Sequence, residues 1–98
     1  MIQHTVTFRL KHPIGSPEET RFLKEAKKLS LIPAVNRFEC LRQVSPKNDY
    51  AYGLSMFFKN EKDYQSYNDH PDHVKFVNET WVHEVEKFLE IDYVPLPE

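Results

Sequence analysis

Two side chains in the C-terminal third of the chain are suited to acid–base chemistry. Tyr67 and His73 lie on either side of Pro71 in the segment Tyr67-Asn68-Asp69-His70-Pro71-Asp72-His73. An imidazole has an unperturbed pKa of about 6.5, which suits proton transfer near neutrality. A tyrosine hydroxyl, with a pKa of about 10, suits donation to a developing oxyanion or enolate. If a kink at Pro71 turns the two groups towards each other, the pair can catalyse enolisation, aldol-type cyclisation or isomerisation without a cofactor.

Three further side chains are candidates for the wall of such a site. His4 interrupts the apolar face of an alternating segment, which turns its imidazole towards the interior. Tyr52 shares a predicted strand face with Leu54 and Met56, and Phe76 follows His73 by about one helical turn. A buried histidine can also serve only as a hydrogen-bonded core residue, and aromatic side chains at helical or strand spacing, such as Trp81 and Phe88, favour packing.

A metal site is the alternative interpretation of the same region. Asp69, His70, Asp72 and His73 are close in sequence, and imidazole with carboxylate suits zinc or iron. Their spacing matches none of the established helical metal motifs, and an aspartate also favours the positive end of a helix. His70, which precedes Pro71, is expected to cap a helix. We therefore predict no metal and no cofactor.

The composition limits the classes of protein. Ninety-eight residues predict one domain, 1–98. A net charge of -2 gives no electrostatic reason for binding nucleic acid or an anionic membrane, and no apolar run reaches the length of a membrane span. Two glycines leave no phosphate-binding loop, and the single Cys40 excludes an internal disulfide. The N-terminus has no signal-peptide pattern, which predicts a cytoplasmic protein. Glu84, Glu86 and Glu90 are interpreted as a solvated face.

The elements that would position these residues alternate between strand and helix. Ser16, Pro17 and Glu19 form a helix start with a capping box, and Asn60 with Asp63 forms a second start. The predicted order is strand 2–10, helix 17–32, strand 35–44, strand 50–58, a helical region 60–82 broken at Pro71, and strand 85–94.

This order predicts a ferredoxin-like α+β fold, a split βαββαβ arrangement with a four-stranded antiparallel sheet and both helices on one face. The other face has no cover within the chain. Because exposed apolar faces usually mark interfaces, we predict a homodimer in which two sheets close an α/β barrel.

Several segments resemble the stress-responsive A/B barrel (Dabb) family. The resemblance spans residues 2 to about 95. The segments that carry it are Met1–Phe8, Ile32–Val35, Tyr67–Val74 and Ile91–Tyr93. The His-Pro-x-His element, with a tyrosine six residues before its second histidine, is their most specific part. The resemblance implies a ferredoxin-like subunit and a twofold barrel.

One branch of the family, that of the plant polyketide cyclase olivetolic acid cyclase, implies roles for individual residues. Its catalytic tyrosine and histidine match Tyr67 and His73, a pocket histidine matches His4, and a pocket position on the first helix matches Phe22. The chain departs from this branch at Tyr52, where the cyclase has a histidine, and at Glu25, where it has a tyrosine.

The sequence therefore predicts a cofactor-independent cyclase, isomerase or lyase that acts on a small carbonyl compound. His73 and Tyr67 would be catalytic, and the residues expected to bind substrate are His4, Tyr52, Phe22 and Phe76. The alternative is a non-catalytic dimer that binds a small molecule or serves in a stress response. A third hypothesis, drawn from other dimeric α/β barrels, is a metal- or haem-dependent oxidase.

Overall fold

A computed structural model describes residues 1–98, and it confirms the predicted order of elements. Their bounds are β1 (Ile2–Leu10), α1 (Pro17–Lys27), β2 (Asn36–Arg42), β3 (Tyr52–Phe58), α2 (Glu61–Asp69), α3 (Pro71–Phe76), α4 (Val82–Glu84) and β4 (Val85–Tyr93). A 3-10 turn at Lys28–Leu31 extends α1, and a π-helical turn at Val77–Trp81 joins α3 to α4. The fold is the predicted ferredoxin-like α+β arrangement.

The sheet is antiparallel and has the strand order β2-β3-β1-β4. The central strand β1 alternates strictly between buried and half-buried residues, as its sequence predicts. Its register places His4 opposite Met56 on β3 and opposite Asp92 on β4. Two residues that are 88 positions apart in sequence therefore become neighbours across the sheet.

The core lies between the sheet and the helices. Phe8, Phe22, Met56 and Phe58 are its largest fully buried side chains. On the opposite face of the sheet, β4 exposes apolar residues: Leu89 is 47% exposed and Ile91 is 40% exposed. No helix is long and apolar enough to cross a membrane. The cytoplasmic location stays a prediction.

The helix starts follow the predicted caps with one exception. The Ser16 hydroxyl accepts a hydrogen bond from the Glu19 amide at 3.1 Å, and Pro17 takes the first helical position. The Glu19 carboxylate does not return to the cap residue as a capping box requires. It accepts instead from the amide of Gly15, at 3.0 Å, and from the hydroxyl of Tyr52. Gly15 permits this approach because its φ of 85° lies in the left-handed region.

Several predicted bounds differ by one or two residues. The strand β2 ends at Arg42 rather than at residue 44. The next residue, Gln43, still donates its backbone amide to the Ala51 carbonyl at 3.0 Å, and its side-chain amide donates to the Tyr50 carbonyl at 2.7 Å. The strand β3 accordingly begins at Tyr52 rather than at residue 50. The last helical segment continues two residues beyond Val82, through α4 to Glu84.

Candidate active site

A cavity of about 450 Å³ lies between the sheet and the helices α2 and α3. Three of the four strands, β1, β3 and β4, contribute to its floor, and the helical region from α2 to α4, with Leu29 of the 3-10 turn, forms the opposite wall. Eleven of its 15 lining residues are hydrophobic. The lining residues are His4, Val6, Leu29, Leu54, Met56, Tyr67, Asn68, His73, Phe76, Val77, Trp81, Val82, Val85, Phe88 and Glu90.

The kink at Pro71 brings the rings of Tyr67 and His73 into contact. The helix α2 ends at Asp69, and His70 adopts an extended conformation that redirects the chain into α3. The two ring centroids then lie 4.3 Å apart, with the planes inclined at 45°. The sequence predicts that the two side chains approach each other. In the structure they meet through a tilted ring–ring contact, without a hydrogen bond between them.

The hydrogen bond of His73 defines its tautomer. Its Nδ1 lies 3.1 Å from the backbone carbonyl oxygen of Asn68. A carbonyl oxygen can only accept, so Nδ1 carries the proton and the Nε2 of the neutral ring has a free lone pair. Burial lowers the pKa of His73 below its ordinary value of 6.5, and the bond to Asn68 opposes part of that change. Near neutrality the imidazole is therefore neutral and can accept a proton at Nε2.

The Tyr67 hydroxyl is the complementary proton donor. The residue is 2% exposed, and burial, with a smaller contribution from the Glu90 carboxylate, raises its pKa. The hydroxyl therefore stays protonated throughout the neutral range. The Tyr67 hydroxyl makes no hydrogen bond within the protein. Every fully buried polar side-chain atom in the structure has a hydrogen-bond partner, so this hydroxyl is not fully buried and remains accessible from the cavity.

His4 is held by a network that sequence reasoning missed. Its Nδ1 lies 2.7 Å from Asp92 Oδ1 and 2.8 Å from the Tyr64 hydroxyl, which itself donates to Asp92 Oδ2 at 2.9 Å. The carboxylate thus accepts from both partners, which assigns the Nδ1 proton to His4 and leaves Nε2 for the cavity. The ring is fixed further by contact with Tyr64, at 5.1 Å between centroids.

Glu90 is a further residue that the sequence does not reveal. The sequence predicts it to be part of a solvated face, but it lines the cavity, with Oε1 3.8 Å from His4 Nε2. The alternation of β4 places Phe88, Glu90 and Asp92 on one face, which is the signal that could have indicated a cavity position.

The structure brings together four of the six predicted site residues: His4, Tyr67, His73 and Phe76. Tyr52 does not line this cavity, because it pairs with Phe8 towards the other end of β1 and its hydroxyl binds Glu19. Burial and that carboxylate raise the pKa of Tyr52 to about 12.

Phe22 does not line the cavity either. It is 1% exposed and packs behind the cavity wall, with its ring centroid 5.7 Å from that of Phe76 and 6.2 Å from that of Trp81. It supports the aromatic wall without reaching a ligand. Neither Phe22 nor Tyr52 is retained as a substrate-binding residue.

The residues of the metal alternative do not converge. His70 caps α3, and its Nδ1 accepts from the Asp72 amide at 3.1 Å, as the sequence predicted for a capping residue. No group of three or more His, Cys, Asp or Glu side chains is arranged to hold a metal ion.

The family model described as "Stress Responsive A/B Barrel Domain" (Dabb) matches residues 2–95. The chain belongs to the Dabb family. This confirms the resemblance seen in the sequence. None of the curated proteins matches the chain.

One solved structure supports the Dabb assignment, and others share the fold. A Dabb family protein with a ferredoxin-like fold from Mesorhizobium loti is 63% identical, with a TM-score of 0.96 over 98% of this chain and 97% of its own. A dimeric ferredoxin-like protein of unknown function from Bacteroides fragilis is 22% identical, with a TM-score of 0.71 over 94% and 93%. The hydroxynitrile lyase from Passiflora edulis is 16% identical, with a TM-score of 0.84 over 99% and 94%. The last two share the fold.

Proposed function

We propose that this Dabb protein is an enzyme that moves a proton at a carbon next to a carbonyl group. The observation that carries the proposal is the pairing of two oppositely prepared groups in one apolar cavity. His73 is a neutral base with a free Nε2, and Tyr67 is a protonated donor whose hydroxyl is free. Groups whose environments push their protonation states apart in this way are typical of acid–base sites.

The reaction would begin when His73 Nε2 removes a proton from the α-carbon of the bound carbonyl compound. The C–H electron pair forms the enolate, and the negative charge moves to the carbonyl oxygen. The Tyr67 hydroxyl donates a hydrogen bond to that oxygen. If the enolate is conjugated with a C=C bond, return of the proton from His73 to the far (γ) carbon gives isomerisation. If the enolate carbon instead attacks a second carbonyl of the same molecule, the ring closes and the new alkoxide takes the proton back from His73. A positioned base of this kind contributes about 10²–10⁴-fold.

Deuterium exchange into a simple ketone tests the proposal without knowledge of the natural substrate. The probe is 4-phenylbutan-2-one in D₂O at pD 7, followed by NMR. We expect the protein to accelerate exchange at the carbons beside the carbonyl, and His73→Gln to reduce the acceleration by about 10²-fold or more. Tyr67→Phe removes only the donor, and we expect a loss of about tenfold or more.

The matched control is His83→Gln, since His83 is exposed and does not line the cavity. Exchange at the same rate in the His73→Gln and His83→Gln variants would overturn the proposed role of His73.

The open cavity also supports the second candidate, a non-catalytic protein that binds a small molecule. A volume of about 450 Å³ with a predominantly apolar lining is within the range of ligand sites. The same assay separates the two functions. Saturable binding of the ketone with no acceleration of exchange would favour a binding protein, whereas acceleration that depends on His73 favours an enzyme.

We further propose that the protein is a homodimer that joins the uncovered faces of two sheets. Apolar side chains on the outer side of β4 remain exposed, and Leu89 and Ile91 lie beside Thr7 and Thr5 of β1. A second sheet would remove this surface from water. Sedimentation equilibrium at micromolar concentration should give twice the mass of the chain, and Ile91→Lys should shift it towards the monomer. A wild-type monomer at that concentration would contradict the proposal.

A further inference from the structure

The cavity carries negative charge. Its 15 lining residues include the carboxylate of Glu90 and neither lysine nor arginine. A second carboxylate, that of Asp92, lies directly behind His4. His4 adds at most one positive charge, and burial keeps His73 neutral at pH 7. The site therefore remains negative in either protonation state of His4.

The carboxylate of Glu90 has free hydrogen-bonding capacity. Its contact with His4, 3.8 Å between Glu90 Oε1 and His4 Nε2, is too long for a hydrogen bond. The side chain is 58% exposed and lies at the edge of the cavity. Its oxygens can therefore accept from a donor group on a bound ligand without giving up a bond within the protein.

Aromatic rings line the same cavity as this carboxylate. Trp81 and Phe88 meet edge to face, with centroids 5.6 Å apart, and Phe88 lies two residues before Glu90 on the same side of β4. Tyr67 and Phe76 add further rings to the wall. Faces of aromatic rings attract organic cations, and an aromatic wall with a nearby carboxylate is a common way to hold an ammonium group.

We propose that the cavity selects an organic ammonium compound, with the charged nitrogen against Glu90 and the apolar part among the aromatic rings. The reacting carbonyl group comes from the proposed function, on which this part of the inference rests. Combined with the ammonium selection, it gives the substrate class: a carbonyl compound that bears a protonated amine. Carboxylates and phosphate esters would be rejected, because the carboxylates repel them and the cavity lining has no lysine or arginine to pair with them.

Three probes with one carbon skeleton test the selection: 3-phenylpropylammonium, 3-phenylpropan-1-ol and 3-phenylpropanoate. Binding is measured by the fluorescence of Trp81, which is the only tryptophan in the chain and lies in the cavity wall. We expect the ammonium to bind about tenfold or more tightly than the carboxylate, with the alcohol between them. The preference should weaken as salt is added, since Glu90 is partly exposed.

The variant Glu90→Gln keeps the shape of the side chain and removes its charge. We expect it to reduce the ratio of ammonium to carboxylate affinity to about threefold or less. Glu79→Gln makes the same change of net charge at an exposed residue outside the cavity, and it should leave the ratio unchanged.

Equal binding of the three probes, binding of none of them, or an unchanged ratio in Glu90→Gln would overturn the proposal. The assay involves no turnover, so it fails or succeeds independently of the His73 exchange experiment.

Discussion

Replacement of Asp92 by asparagine tests the network that holds His4. The wild-type carboxylate accepts one hydrogen bond at each oxygen, from His4 at 2.7 Å and from Tyr64 at 2.9 Å. Asparagine keeps one acceptor and puts an NH₂ donor in place of the other. A hydrogen bond to a charged group contributes about 1.5–3 kcal/mol. Because Asp92 is 42% exposed, we expect a loss near the lower limit, about 1.5 kcal/mol.

Urea unfolding at one fixed protein concentration measures this loss, and the fixed concentration keeps any contribution from association constant. With a slope of about 1.5 kcal/mol per molar urea, the midpoint should fall by about 1 M. Tyr64→Phe removes one donor and keeps the ring, which stacks on Phe58 at 4.8 Å, so it should cost about 1 kcal/mol. The double variant should lose less than the sum, since both changes break the same contact.

Asp69→Asn is the matched control, because it removes an exposed carboxylate at the end of α2. A midpoint for Asp92→Asn equal to that of Asp69→Asn, or fully additive losses with Tyr64→Phe, would refute the network as a source of stability.

Three further perturbations follow from the buried groups. Burial lowers the pKa of His73 in the folded state below 6.5. The free energy of unfolding should therefore keep its full value above pH 6.5 and decrease as the pH falls through the folded-state pKa. In urea midpoints measured between pH 7 and 5, His73→Gln should remove this decrease. The hydrogen bond from Tyr52 lowers the pKa of Glu19. The ionised Glu19 should therefore contribute to the free energy of unfolding above pH 4.5, and this contribution should disappear as the pH falls further. Glu19→Gln should flatten the acid limb of a plot of unfolding free energy against pH, and an unchanged limb would contradict this account. Phe58→Ala should cost about 3–5 kcal/mol by thermal or urea unfolding because the ring is fully buried, whereas Leu96→Ala, at 89% exposure, should cost almost nothing.

The fold could be predicted because local signals agree along the chain. The alternation of residues 2–10, the caps at Ser16 and Asn60, and the break at Pro71 each specify an element or its boundary. The same break also predicted the approach of Tyr67 and His73, since both residues lie within a few positions of it.

The rest of the site depends on strand register, which local patterns do not determine. A slip of two residues between β1 and β4 would preserve the alternation of both strands and would separate His4 from Asp92. A charged residue on an edge strand is usually exposed to solvent, so the residue type and position of Glu90 do not indicate that it lines a cavity. Tyr52 shares a face of β3 with Leu54 and Met56, as the alternation predicts, but that face extends past the cavity to the buried Glu19.

The pH dependence of deuterium exchange into 4-phenylbutan-2-one tests most directly whether His73 is the base. The neutral imidazole is the active form, so the rate should fall as the pH decreases, with a midpoint below 6.5 because burial lowers the pKa of His73. The His73→Gln variant should lack this limb and the acceleration with it. A midpoint above 6.5, or the same acid limb in the His73→Gln variant, would contradict the account.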